Sequence, residues 1–234
     1  MNRFGEKKTC LGRGVLHLVE ALDFLRANGA ELLDKTWEHF YISLIALLLG
    51  IIAAVPLGVL LTRMKKGAGI AIAVVNIIQT LPSLAILAFF IPLLGVGKVP
   101  AIAALFFYSV LPILRNTYTG IKSVNRNLLE SGKGIGMTAW EQIRLVELPL
   151  AVPVIMAGIR TSAIYLIGWA TLASFIGGGG LGDYIFIGLN LYQPEYIIGG
   201  AVPVTLLAIV TDAVLHQAER KVTPDGLKGL KEVS

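Results

Sequence analysis

The sequence predicts an all-α integral membrane protein with five membrane-crossing helices. Three observations carry this. Of 234 residues, 55% are hydrophobic and 15% charged, where a soluble domain has about a quarter charged, and the mean hydropathy is +0.75. Apolar runs long enough to cross a bilayer recur along the chain. Lys and Arg cluster after the first, third and fifth of these runs, as basic loops on one membrane face require. Ten prolines and 26 glycines inside apolar sequence agree, because membrane helices tolerate both. The net charge of +5 is assigned to these loops, not to nucleic-acid binding. Cys10 alone excludes an internal disulfide or a cysteine metal cluster, and His17, His39 and His216 are too scattered to hold a metal. No cleavable signal peptide is expected.

Residues 1–36 form an N-terminal segment of mixed charge. Leu18, Leu22, Leu25, Leu32 and Leu33 recur at helical spacing, so an amphipathic helix at the membrane interface is expected. A frayed tail is the alternative over residues 1–13. Trp37, His39 and Tyr41 read as an interfacial aromatic belt. The transmembrane domain is expected over residues 37–216. Its first span, residues 40–61, matches a hydrocarbon core of about 30 Å at ~1.5 Å per residue. Arg63, Lys65 and Lys66 follow. The second span covers residues 68–94 and the third residues 99–114, after which come Arg115, Lys122 and Arg126. The fourth covers residues 150–176. The loop at 177–194 has no Lys or Arg. The fifth covers residues 196–215, and a tail over 217–234 carries Arg220, Lys221, Lys228 and Lys231. Positive residues stay inside, which puts the C-terminus in the cytoplasm and the N-terminus outside. The six basic residues before position 39 argue the other way, but six acidic residues neutralise them.

Between spans three and four lies a polar stretch, residues 124–149. Asn125 and Asn127 are candidate N-caps for a short helix near Leu128. Gly132, Gly134 and Gly136 are expected to interrupt it and allow a turn. Thr138 followed by Glu141 has capping-box spacing for a second piece running to Glu147, and Pro149 suits the first turn of the next span. The knob so formed carries Lys133, Arg144, Glu130, Glu141 and Glu147 and is too polar for lipid.

Glu130, Gly136, Val146, Leu148 and Pro149 stand at the spacing of the "EAA" loop: Glu-Ala-Ala, three residues, Gly, nine residues, Ile, one residue, Leu-Pro. Ser131, Gly132 and Val146 depart from it. This stretch resembles the coupling loop of the permease subunits of bacterial ABC importers. The resemblance covers residues 37 to about 216 and implies the type I importer (MetI-like) core of five transmembrane helices with a cytoplasmic coupling helix. It assigns Glu130, Gly136 and Pro149 to coupling with a separate ATPase, alongside Gly132, Met137, Thr138, Val146 and Leu148. No P-loop is present, so no cofactor is expected in this chain, and ATP and Mg2+ belong on partner ATPase subunits. The other implied partners are a solute-binding protein outside, a second permease subunit (a copy or a paralogue) and membrane lipid. A bacterial cytoplasmic membrane location follows.

Polar positions inside the spans mark a candidate pathway. Asn76, Gln79, Thr80 and Ser83 surround Pro82 at spacings of three or four, which puts them on one face of a helix that Pro82 is expected to kink. They line a wet path and gate, or they only bond neighbouring helices. Arg160 and Asp212 are charges inside spans and are expected to pair, unless Arg160 reaches the interface. Gly177, Gly178, Gly179 and Gly180, with Asp183 beyond them, are expected to end the fourth span in a tight outer turn. That turn would be a docking surface or outer gate. Tyr184 to Leu191 is too short to span.

The glycine run, Gln79-Thr80-Leu81-Pro82-Ser83 and the Gly95-Val96-Gly97 loop make the chain similar to the glycine betaine/carnitine/choline permeases within the family. A permease for methionine or another small amino acid is the alternative. An autonomous channel or secondary carrier would need pathway charges or inverted repeats, and only Arg160 and Asp212 qualify. No nucleophile with a base, paired His or carboxylate pair suggests an enzyme.

Overall fold

The computed structural model describes residues 3–64 and 67–224, with side chains described for Phe24 and from Arg26 onward. The expected amphipathic face at Leu18, Leu22 and Leu25, the basic residues Lys65 and Lys66, and the end of the tail lie outside that description. Among the described residues there are helices and no strand.

Helix α1 (Arg3–Arg63) runs unbroken through the expected boundary at 36/37. Then come α2 (Gly67–Thr80), α3 (Ser83–Leu94), α4 (Lys98–Lys122), α5 (Arg126–Gly134) and α6 (Ala139–Gln142). A π-helical turn (Ile143–Glu147) joins α6 directly to α7 (Leu148–Ala170), which tightens into a 3-10 turn (Thr171–Ile176). Helices α8 (Gly182–Leu191) and α9 (Pro194–Val222) complete the chain. Four helical stretches are long and apolar enough to cross a membrane, and α2 with α3 adds a fifth crossing if that bent pair is one span. The protein is a multi-pass membrane protein of the expected all-α class.

The core is a three-helix seam of α1, α4 and α7. Ala46, Gly50, Ala54 and Gly58 fall every fourth residue of α1, and Ala101, Leu105, Ser109, Ile113, Thr117 and Ile121 do so on α4, all of them buried. Rows spaced by four are the ridges along which helices interdigitate, and small residues in them let membrane helices approach closely. A Cβ built on Gly50 would stand 2.8 Å from that of Ser109, and one on Gly58 2.7 Å from that of Thr117. Across the α4–α7 contact a Cβ on Gly158 would lie 2.8 Å from the Pro112 carbonyl oxygen. Ser162 Oγ donates to the Ser109 carbonyl at 3.1 Å, closing the seam where α4 touches both neighbours.

Two span expectations are corrected. The second span is not one kinked helix: α2 and α3 meet at 94°. Pro82 has no N–H to carry the helix across the break, and beyond it the Ala85 and Ile86 N–H groups bond the Pro82 carbonyl, so the Leu81 carbonyl takes its bond from Tyr108 Oη at 3.1 Å. Gln79 Nε2 returns a bond to the Tyr108 carbonyl at 3.1 Å, pinning the break to α4. Such partners let a broken helix persist where water is absent. Helix α4 also continues past Leu114 to Lys122, so Arg115 and Lys122 sit on the helix and not in a loop.

Candidate functional site

The coupling segment is built by two caps and one glycine turn. Asn125 Oδ1 accepts from the Asn127 N–H at 2.9 Å, which starts α5 at Arg126. Thr138 and Glu141 form the expected capping box: the Thr138 hydroxyl accepts from the Glu141 N–H at 3.3 Å, and the Glu141 carboxylate accepts from the Thr138 N–H at 2.7 Å. The Thr138 backbone N–H, and then its hydroxyl, hold the Glu141 carboxyl below its ordinary range. A depressed carboxylate stabilises above its unfolded pKa and stops doing so as pH falls through the folded one, so the box is intact at neutral pH.

The three glycines divide the work differently from expectation. Gly136, at φ +90°, makes the turn. Gly132 and Gly134 lie within α5 and do not interrupt it. Gly132 is buried, where a Cβ would stand 3.1 Å from Met137 Sδ, so Met137 folds back over it. Gln142 is buried too, and its Nε2 donates to the Leu129 carbonyl at 3.2 Å, tying α6 to α5. Glu130 is exposed and pairs with Arg126 at 3.3 Å one turn back. Pro149 sits in the first turn of α7, with Val146 and Leu148 half-buried beside it. Against this polar ground Ile135 is 79% exposed and Trp140 65%. These two apolar side chains stand out around the Gly136 turn without cover from the chain.

Glu147 is not surface. It is only 2% exposed and pairs with Arg63 at the end of α1. Sequence reasoning counted it among the knob's surface charges, and its place directly before the half-buried Leu148-Pro149 junction gave no separate signal.

At the opposite end of the bundle the glycine run is packed, not open. Gly178 and Gly180 are buried. Glu38 Oε2 accepts from the Gly180 N–H at 2.8 Å, and Glu38 Oε1 meets Lys98 Nζ at 2.6 Å. A Cβ on Gly179 would stand 2.4 Å from Glu38 Oε2, and Gly179 also lies at φ +78°. Gly177, at φ +70°, ends the 3-10 turn in a left-handed cap. Asp183 takes Lys35 on one oxygen and the Ser174 hydroxyl on the other. His39, whose Nε2 donates to the Ile167 carbonyl at 2.8 Å, lies buried beneath the run and is not a member of an exposed aromatic belt, as Trp37 and Tyr41 are.

Of the polar positions around Pro82, Asn76 and Thr80 are exposed, Gln79 bonds α4, and Ser83 opens α3. The break therefore separates Ser83 from the face that the other three were expected to share with it. Within the bundle Arg160 and Asp212 pair through two bonds, Nε to Oδ1 at 2.8 Å and Nη2 to Oδ2 at 3.0 Å. Arg160 Nη1 also reaches His216 Nδ1 at 3.1 Å and Glu219 at 3.4 Å. Arg160→Met takes away the cation that Asp212 binds through both oxygens. After discounting for partial exposure, the expected loss is roughly 1–3 kcal/mol. At about 2–4 °C per kcal/mol for a chain of this size, that is a visible drop in Tm of the detergent-solubilised protein, partly recovered by Arg160→Lys. An unchanged Tm would mean the pair is idle.

Residues 46–224 match the family described as "Binding-protein-dependent transport system inner membrane component". The chain belongs to this family. The permease is 83% identical over 215 residues to the glycine betaine/carnitine/choline transport system permease protein OpuCB of Bacillus subtilis (strain 168), covering 92% of this chain and 99% of that protein. It is 81% identical to the choline transport system permease protein OpuBB of the same organism, covering 93% and 99%, and 58% identical to the carnitine transport permease protein OpuCB of Listeria monocytogenes, covering 89% and 96%. Its fold is similar to inward-facing structures of the MetNI methionine ABC transporter. One aligns with TM-score 0.75 at 23% identity over 82% of this chain and 97% of that one. Another aligns with TM-score 0.73 at 25% identity over 82% and 96%. The permease thus has the fold of a type I ABC importer membrane subunit.

Proposed function

We propose that the chain is the pore-forming subunit of an ATP-driven importer for quaternary ammonium osmoprotectants such as glycine betaine, carnitine and choline. The cargo is supported by the transport functions for which relatives 58–83% identical over about nine-tenths of the chain are named. The coupling to ATP rests on one observation: a capped, polar knob that presents bare Ile135 and Trp140 around a glycine turn. Exposed aromatic and aliphatic side chains of this kind act as anchors in a partner's pocket. The partner is a separate ATPase that carries ATP and Mg2+, since this chain has no P-loop and does no catalysis itself.

In this reading two permease subunits, copies or paralogues, enclose the path. A solute-binding protein outside captures the cation, and any aromatic cage for it belongs to that protein. The knob and C-terminus face the cytoplasm and the N-terminus faces out, as the basic residues favour. ATP binding brings the two ATPase subunits together, the coupling segments follow, and the pore turns from inward-open to outward-open. Glu130, Gly136 and Pro149 carry the coupling, with Gly132, Met137, Thr138, Val146 and Leu148 shaping the knob. Asn76, Gln79, Thr80, Pro82 and Ser83 border the path and gate. The glycine run, Gly177 to Gly180, and Asp183 form the outer closure.

The test is co-purification with the ATPase encoded beside the permease, then reconstitution in liposomes with the cognate binding protein. Labelled glycine betaine, choline and carnitine should enter with ATP hydrolysis, and labelled methionine should not. Trp140→Ala with Ile135→Asp should weaken ATPase association at least tenfold. Uptake without any ATPase, or association indifferent to both substitutions, would overturn the reading.

A further inference from the structure

The coupling segment reaches the bundle through a joint. Between α6 and α7 the chain makes a π-helical turn, with the Leu148 N–H bonded five residues back to Ile143. Such turns are rare and recur at functional sites. The joint lies where any displacement of the knob must enter the fourth span. Beside it, Glu147 is a buried carboxylate in a segment whose other charges are exposed, and its partner Arg63 comes from the last turn of α1, 84 residues away. A buried charge is kept only where its partner holds it.

We propose that Arg63 and Glu147 brace this joint: the ion pair stiffens the π turn against the end of α1, so that movement of the knob is passed to the α1–α4–α7 seam and not absorbed in the turn. Arg63 and Glu147 are then positioning residues for transport. They touch neither solute nor nucleotide. The proposal rests on the importer reading above and adds to it a named route for the motion.

A fold-holding ion pair and a brace make different demands. If the pair only holds the fold, its loss lowers ATP hydrolysis and import together, in proportion to the protein lost. If it braces the joint, its loss leaves the ATPase docked and turning over while less solute crosses per ATP. Glu147→Gln keeps the shape and can still accept from Arg63, but removes the charge. Arg63→Gln changes a side chain that is 43% exposed, so it disturbs packing less. Arg63→Lys keeps the charge.

The experiment uses the full importer in liposomes, with activity scaled to assembled complex, and compares labelled glycine betaine imported with ATP hydrolysed. Glu147→Gln and Arg63→Gln should each keep hydrolysis within about twofold of the unmodified complex and lower import per ATP at least fivefold. Arg63→Lys should restore more than half of the ratio. An unchanged ratio, or hydrolysis and import falling in parallel in both glutamine variants, would overturn the brace. A wrong cargo is told apart at once, because it abolishes import by the unmodified complex as well.

Discussion

Gly136→Val abolishes solute-stimulated ATP hydrolysis while leaving the permease in the membrane; that is the largest functional effect expected. The cause is the backbone. Gly136 sits at φ +90° with open space around it, so a larger side chain meets no wall. A β-branched residue there is nevertheless forced into a region that L residues rarely occupy, at a cost of order 1–3 kcal/mol. The turn opens, α5 and α6 separate, and Ile135 and Trp140 no longer present one face. None of the membrane seam is touched, so membrane yield should match the unmodified protein. Gly134→Ala is the control: Gly134 ends α5, has no left-handed backbone and meets nothing within 4 Å, and its activity should stay within twofold. Full stimulation by the valine variant would remove the glycine turn from the coupling mechanism.

Gly50→Leu has the largest expected effect on the fold. Its first carbon would already stand 1.9 Å from Ser109 Oγ, and three more must fit between α1 and α4. Overpacking a tight contact costs typically 1–3 kcal/mol and sometimes more, and here the crossing helices have to separate along a seam of small residues. Gly158→Leu should behave alike, because the Pro112 carbonyl it meets is backbone and cannot rotate away. Both variants should aggregate or lose most of their monodisperse peak on size exclusion in detergent. Gly69→Leu, on α2 with nothing within 4 Å, should leave the peak unchanged. A monodisperse Gly50→Leu protein would mean that the α1–α4 contact is looser than described.

Much of this was legible in the sequence because it is local or strongly periodic. The capping box needs only Thr138 and Glu141 three apart, and hydropathy finds the spans without tertiary information. The Arg160–Asp212 pair was readable because a lone charge in lipid has few solutions. What was missed depends on distant partners. Pro82 announced a disturbance, but neither the 94° size of the break nor Tyr108, the distant residue that caps the Leu81 carbonyl there, could be read from it. Gly132 looked like a helix breaker and proved to be a packing site for Met137. Glu147 looked like one more surface carboxylate until Arg63 was found beside it. The glycine run read as a tight outer turn, but nothing nearby in sequence says that Glu38 folds onto it. One signal was present and unread: Ala46, Gly50, Ala54 and Gly58 recur every fourth residue, which by itself marks a close helix crossing.

That crossing also limits how the protein can change shape. Helices joined through bare backbone and short side chains have little room to slide or rotate against each other, so α1, α4 and α7 behave as one solid wedge. Any conformational cycle must find its hinges outside the wedge. Two such places are the corner at Leu81-Pro82, where two short rods meet, and Tyr192, a non-glycine residue at φ +56° between α8 and the long, mostly bare α9. On this geometry the wedge tips as a unit, with α9 tied to it through Arg160 and Asp212, while the α2–α3 flap makes way for it.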